Sequence, residues 1–214
     1  MKRVIFCIKC SDFAWINGSQ DDPEDLCSHG IVTVEIGEER LSYDCCTSAA
    51  ALRMLRTLTQ EHEIEDSMYG EQILPCCGFN MYADDTLENV FISGCSSGVD
   101  YAVHHQGGDI VLTTEDGKQY EVGFEEYRTE VLAFACEVEA FYKRCAEKKL
   151  PEDEYERNGY QAFWNEWNRR MASEEARQAL DSLSSRSLAG TAQGSVLQPK
   201  GEGGHDLFEQ FSVF

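Results

Sequence analysis

Ten cysteines carry the most versatile chemistry in this chain: Cys7, Cys10, Cys27, Cys45, Cys46, Cys76, Cys77, Cys95, Cys136 and Cys145. Cys7-Ile8-Lys9-Cys10 has the spacing of a zinc knuckle, with Cys27 and His29 as further ligands. A second pair at similar spacing is missing. Cys45-Cys46 and Cys76-Cys77 are adjacent, and neighbours on a strand point to opposite faces. Both thiols of such a pair reach one tetrahedral ion awkwardly, and at most one of each pair is expected to face the core. A redox pair would need Cys7 and Cys10 at a helix N-terminus, and the residues after Cys10 do not look helical. Disulfide frameworks belong to short secreted chains. The cysteines therefore read as small buried hydrophobes in a reducing cytosol, with no metal assigned.

His104-His105 lies in a strand-like run, so its rings should face opposite sides, one core-facing and hydrogen-bonded. Ser93, Cys95, Ser96 and Ser97 are near in sequence, flanked by Asp100 and Asp109. Gly94-Cys95-Ser96-Ser97-Gly98 lacks the glycine spacing of a nucleophile elbow, and no helix follows. Neither GxGxxG nor GxxxxGK[ST] occurs, so no phosphate cradle is expected. Glu61, Glu63, Glu65 and Asp66 could gather a divalent ion, without the ligand order of an EF-hand. No residue is assigned a catalytic role, and no cofactor is expected.

Charge is the strongest compositional signal. The 214 residues hold 39 acids and 18 bases, a net charge of −21. From Ser182 onward there are two bases and three acids, so residues 1–181 carry −21 − (−1) = −20. Binding phosphates needs clustered Lys and Arg, which excludes a basic nucleic-acid surface. An anionic membrane is disfavoured for the same reason. No apolar run approaches the ~20 residues of a membrane helix. Met1-Lys2-Arg3 precedes a short apolar run that stops at Lys9 and Asp12, with no small-residue cleavage site. The expectation is a soluble cytoplasmic chain.

The elements that position these residues segregate. Strands are expected at Val4–Ile8, Ile31–Ile36, Arg40–Cys46, Gln72–Cys77, Asn89–Ser93, Val99–His105, Asp109–Thr114 and Lys118–Phe124. Gly37-Glu38-Glu39 and Asp116-Gly117 mark hairpin turns. One helix, capped by Ser48, is expected from Ala49 to about Glu61. A second spans Glu125–Lys149, with Tyr127, Val131, Phe134, Val138, Phe141 and Cys145 on one stripe and Pro151 beyond it. A third runs from Glu152 to about Leu183, with Gly159 as a possible break. Its Tyr160, Phe163, Trp164 and Trp167 ridge reads as core packing, and Arg157, Arg169 and Arg170 as partners of nearby acids. The fold class is α+β: a mixed or mainly antiparallel sheet, one helix after the N-terminal strands, and two C-terminal helices packed on it. Residues 1–181 form one acidic domain.

Residues 182–205 are rich in Ser, Gly, Ala, Gln and Thr and read as a flexible linker. Residues 206–214 reverse the polarity, with Leu207, Phe208, Phe211, Val213 and Phe214. A short apolar peptide at the end of a linker is the pattern of a docking tail.

From about Val90 to Arg170, the Gly-rich turn, Val99–His105, the Asp116-Gly117 hairpin, Tyr127, Val131, Phe134 and Ala135, Phe141-Tyr142 and Phe163–Trp167 give an order that resembles the immunity proteins of bacterial polymorphic-toxin systems. The resemblance covers about a third of the chain and implies a non-enzymatic inhibitor of a cognate toxin. A toxin that acts on nucleic acid presents a basic cleft, which an acidic protein reaches quickly by electrostatic steering. The last five residues, Gln210-Phe211-Ser212-Val213-Phe214, are similar to the pentapeptide by which bacterial proteins bind the DNA sliding clamp. That similarity implies the alternative of a phage or bacterial regulator of a nucleic-acid-processing partner, by clamp binding or DNA mimicry. A small zinc-binding or hydrolytic protein is the remaining alternative. The partner-binding residues expected are Asp21, Asp22, Asp84, Asp85, Glu152, Asp153, Glu154, Glu156, Phe208, Phe211 and Phe214, with Glu24 and Asp25 also exposed by pattern. The partner is expected to be a protein with a basic surface.

Overall fold

A computed structural model describes residues 3–19, 21–64 and 69–191, with side chains through residue 175 and at residue 177. The fold is α+β. β1 (Phe6–Ala14), β2 (His29–Ile36) and β3 (Glu39–Cys46) form an antiparallel meander, and α1 (Thr47–Thr57) follows directly. Two short ladders come next: β4 (Leu74–Pro75) with β7 (Gly98–Val99), and β5 (Asn80–Ala83) with β6 (Val90–Ser93). A second meander contains β8 (Tyr101–Gln106), β9 (Asp109–Thr114) and β10 (Gln119–Gly123). α2 (Phe124–Arg144) and α3 (Glu154–Thr191) complete the chain described. The edges of the two meanders meet where the Val4 N–H donates to the Glu121 carbonyl at 2.9 Å, beside a parallel bridge from Arg3 to Glu121.

The local reasons are those of the sequence. At both hairpins a glycine takes positive φ, +61° at Gly37 and +82° at Gly117, which an L side chain rarely adopts. In β2, Val32, Val34 and Ile36 alternate into the core. α1 runs through the middle of the molecule, with Ala49, Ala50, Ala51, Leu52 and Met54 wholly buried. Its small residues let β2, β3, β4 and α2 approach closely. α2 buries Tyr127, Val131, Phe134, Val138 and Phe141, the stripe expected from the spacing. Tyr160, Phe163 and Trp167 of α3 are buried core, and Trp164 packs edge-on to Tyr142.

Charged groups are also built into this interior. Arg53 of α1 is 6% exposed and donates to the carbonyls of Gln72 and Ile92. Burial pushes its pKa down to about 10. Arg56 holds Glu166 of α3 bidentately at 2.8 and 2.7 Å, and Arg170 adds a third bond at 2.9 Å. Burial would raise Glu166, but these arginines and the Val90 N–H outweigh it and hold the carboxyl at about 2. This network ties α3 to α1 and to the β5–β6 hairpin.

Several expectations are corrected. β1 extends six residues beyond Ile8, to Ala14. β5 was not foreseen. α1 ends at Thr57, and its N-cap is Cys46 with no side-chain cap bond, so Ser48 lies inside the helix. α2 ends at Arg144 rather than Lys149, because Cys145 turns extended and the following residues bond the loop before β2: the Ala146 N–H to Asp21 and the Lys149 N–H to Pro23. Gly159 does not break α3. Its role is close approach, since a Cβ there would lie 2.0 Å from the Met81 carbonyl oxygen. α3 continues to Thr191, so residues 182–191 of the expected linker are helical. By its contacts the chain divides into two units, Met1–Glu174 and Glu175–Phe214. No helix among the described residues is long and apolar enough to cross a membrane.

Candidate functional site

The acids expected at the surface separate into two groups. Asp21 and Asp22 belong to the 21–25 loop, whose side chains serve the fold. Asp21 accepts the Ala146 N–H at 3.1 Å. Asp22 accepts the Glu24 N–H at 3.0 Å and the Asn17 side-chain amide at 2.5 Å. Asp25 accepts the N–H groups of Ile16 and Cys27 at 2.6 and 2.9 Å. Glu24 pairs with Lys149 at 2.9 Å, and Lys148 lies over the Trp15 ring. These contacts fasten the loop to the fold, with Asp21 and Glu24 exposed.

The second group lies on two segments that share one pocket through Asp84, Asp85 and Tyr155. Asp84 and Asp85 follow β5, whereas Glu152, Asp153, Glu154 and Glu156 stand at the start of α3. Antiparallel pairing sets the hairpin: Met81 opposite Ile92, Tyr82 opposite Phe91, and Ala83 opposite Val90. Met81, Val90 and Ile92 turn inward, and Tyr82 and Phe91 turn out. The turn after β5 is held by Asp84, which accepts from Thr86, Asn89 and the Glu88 N–H. The Asn89 and Thr86 bonds hold its carboxyl down at about 2. α3 is anchored behind this turn by Asn165 to the Leu87 carbonyl and Arg169 to the Glu88 carbonyl. Its first turn therefore lies next to the hairpin.

Between them is an open pocket of about 380 Å³ lined by Tyr82, Ala83, Asp84, Asp85, Leu87, Tyr155 and Asn158. Tyr155 is 81% exposed and Tyr82 53%. The aromatic surface continues through Phe91, whose ring lies 6.4 Å from that of Tyr82 and 6.0 Å from that of Tyr69. Asp153 accepts the Glu156 N–H at 3.1 Å as a cap of α3. The carboxylates of Asp85, Glu152, Glu154 and Glu156 have no hydrogen bond or ion pair among the described residues. The tyrosines and Phe91 had no signal in the sequence beyond being aromatic. Recognising β5 would have set their alternation. Phe208, Phe211 and Phe214, with the rest of the 206–214 tail, lie outside the described residues.

The cysteines depart most from expectation. Both members of Cys45-Cys46 are buried, not one. Cys46, as N-cap of α1, packs against Gly78 and contacts Ser48. Cys7 and Cys10, three apart on β1, have different surroundings: the Cys7 thiol is raised by burial and Glu130, whereas burial pushes Cys10 up to about 12. In contrast, one sulfur each from Cys76, Cys77 and Cys95 lie within 4.8 Å of one another. Strand alternation does not govern Cys76-Cys77, because β4 ends at Pro75. A second cluster gathers Glu61 and Glu63 about the His104 ring at 3.5 and 3.7 Å. His104 is thus occupied by carboxylates, and His105, an exposed residue, meets the Thr57 carbonyl at 2.9 Å. Neither ring enters the core. Asp100 engages His62 and the Ile73 N–H, and Asp109 engages Arg3.

Arg170 pairs with Glu166 at 2.9 Å and Arg169 with Glu88 at 3.8 Å, as expected. Arg157 donates to the carbonyls of Pro151 and Glu152 instead. Comparison with family models, curated proteins and solved structures returned no match.

Proposed function

We propose that this chain is a non-enzymatic acidic binding protein that neutralises a protein partner with a basic surface, in the manner of the immunity proteins that block a cognate toxin. The observation that carries the reading is the open pocket in which Asp84 and Asp85 meet the exposed rings of Tyr82 and Tyr155, the latter being part of the acidic segment 152–156. Each part has a distinct physical role. Unpaired carboxylates on a chain of net charge −21 raise the encounter rate with a basic partner. Tyrosines supply the desolvated anchors that slow dissociation, since a rigid ring buries large area at small entropic cost. A folded support behind them, from Arg169, Asn165 and the Arg56–Glu166 network, keeps the face preformed.

The test is to capture the partner from the cells that make this protein and identify it. The purified pair is then treated with a carbodiimide, which joins carboxylates directly to partner lysines. Cross-links from Asp85, Glu152, Glu154 or Glu156 to a basic surface support the reading. Cross-links confined to other acids, or an association rate insensitive to salt, contradict it.

A further inference from the structure

We propose that Cys76, Cys77 and Cys95 form a zinc site, binding one Zn²⁺ as three thiolates with the fourth position open to solvent.

The geometry is close to what the ion needs. Zn–S bonds of ≈ 2.3 Å in a tetrahedron place sulfurs roughly 3.8 Å apart. The three sulfurs already lie within 4.8 Å of one another, so each pair closes by at most about 1 Å on binding. The backbone around them is fixed independently of any ion. β4 pairs with β7, Leu74 opposite Val99 and Pro75 opposite Gly98. The Cys76 N–H donates to the Ser97 carbonyl at 3.1 Å, and the Gln72 side chain donates to Ser96 at 3.0 Å. Gly94 makes the close crossing possible: a Cβ there would lie 2.7 Å from the Cys77 carbonyl oxygen and 3.3 Å from its sulfur.

A second observation points to thiolates. The sulfurs are also oriented by hydrogen bonds to the fixed backbone around them. The Cys95 backbone N–H donates to the Cys77 sulfur at 3.2 Å. The Cys95 thiol donates to the Ser97 carbonyl at 4.0 Å. The Tyr43 hydroxyl is directed to Cys76. The amide and the hydroxyl stabilise a charged sulfur and orient it, as the outer partners of metal ligands do. Each thiol that binds zinc would release one proton.

The ligand set selects the ion. Three sulfurs favour zinc or copper(I) over calcium, magnesium or manganese. Zinc leaves a site charge of −1 and copper(I) of −2, and a chain already at −21 favours the divalent ion. Cys95 is exposed and Cys76 and Cys77 are half-buried, so the cluster opens to solvent. An open fourth position distinguishes it from a closed four-ligand structural site.

The experiment uses the full chain, tag-free, reduced and stripped of metal, titrated with zinc against a chromophoric chelator. Iodoacetamide labelling and mass spectrometry follow the thiols. One equivalent of zinc should bind and should protect Cys76, Cys77 and Cys95 while the exposed Cys136 remains reactive. Cadmium should give sulfur-to-metal absorption of three thiolates. Cys77→Ser and Cys95→Ser should each weaken zinc by more than the ~10–100-fold typical of losing an outer partner. The labelling needs no variant, so a misfolded substitution does not obscure the answer. Labelling of the three thiols unchanged by stoichiometric zinc, a Cys76–Cys95 disulfide that persists in reductant, or full zinc affinity in Cys77→Ser would each overturn the proposal.

Discussion

Two pentapeptides of this chain hold four acids each, and they do opposite things. Asp21-Asp22-Pro23-Glu24-Asp25 and Glu152-Asp153-Glu154-Tyr155-Glu156 are indistinguishable by charge count. The first sits between β1 and β2, among bare backbone N–H groups and opposite Lys148 and Lys149. Its carboxylates satisfy those donors. The second stands at the start of α3, where the helix dipole favours negative charge without side-chain partners. Only Asp153 is engaged as a cap, and the other three acids face water beside Tyr155. Burial of N–H groups, not density of acid, decides which segment is structural. Glu166 is the limiting case of the structural kind, 2% exposed and enclosed by Arg56 and Arg170.

The largest effect expected is at Glu166. Glu166→Gln leaves Arg56 and Arg170 without their carboxylate, and removing one partner of a buried pair costs roughly 3–5 kcal/mol. Urea unfolding of the two proteins measures it, and a loss below about 1 kcal/mol would place Glu166 with the surface acids. The same residue sets an acid dependence. Its folded pKa of about 2 lies below the ordinary 4.5. Its contribution is therefore complete above pH 4.5 and fades as pH falls through about 2. Glu166→Gln should flatten that part of the stability profile.

Asp25→Ala comes next. It strands the N–H groups of Ile16 and Cys27 and should cost about 1–3 kcal/mol, read from the same unfolding curves. Tyr155→Ala sharpens the other side of the comparison. Its exposed ring should contribute almost nothing to folding, yet more than about 1 kcal/mol to partner affinity by calorimetry. The smallest stability change is expected from neutralising Glu152, Glu154 and Glu156 with Gln. Each change should stay within about 0.5 kcal/mol in unfolding. A larger loss there would show that the two segments do the same work.

Much of this was legible in the residues. The Asp116-Gly117 turn fixed β9 and β10, and the spacing of Tyr127, Val131, Phe134, Val138 and Phe141 gave the buried stripe of α2. Local signals of that kind need no partner. What was missed depends on partners distant in the chain. β5 is only four residues long, and its meaning comes from pairing with β6 across the 84–89 turn. The end of α2 is set by Asp21 and Pro23, more than a hundred residues earlier. The sulfur cluster joins Cys76-Cys77 to Cys95 through the two-residue β4–β7 ladder, too short to be seen as periodicity. Of the acids, 84–85 and 152–156 could be named, but the pocket that Asp84 and Asp85 share with Tyr155 could not, because it rests on α3 being anchored behind the hairpin.

The most direct test is the association rate of the purified pair across a salt series, for the wild type and for the variant with Asp85→Asn, Glu152→Gln, Glu154→Gln and Glu156→Gln. The wild-type rate should fall steeply with salt. The variant should start slower and vary little, with its stability preserved. Identical salt profiles for the two proteins would contradict the assignment of this face as the docking surface.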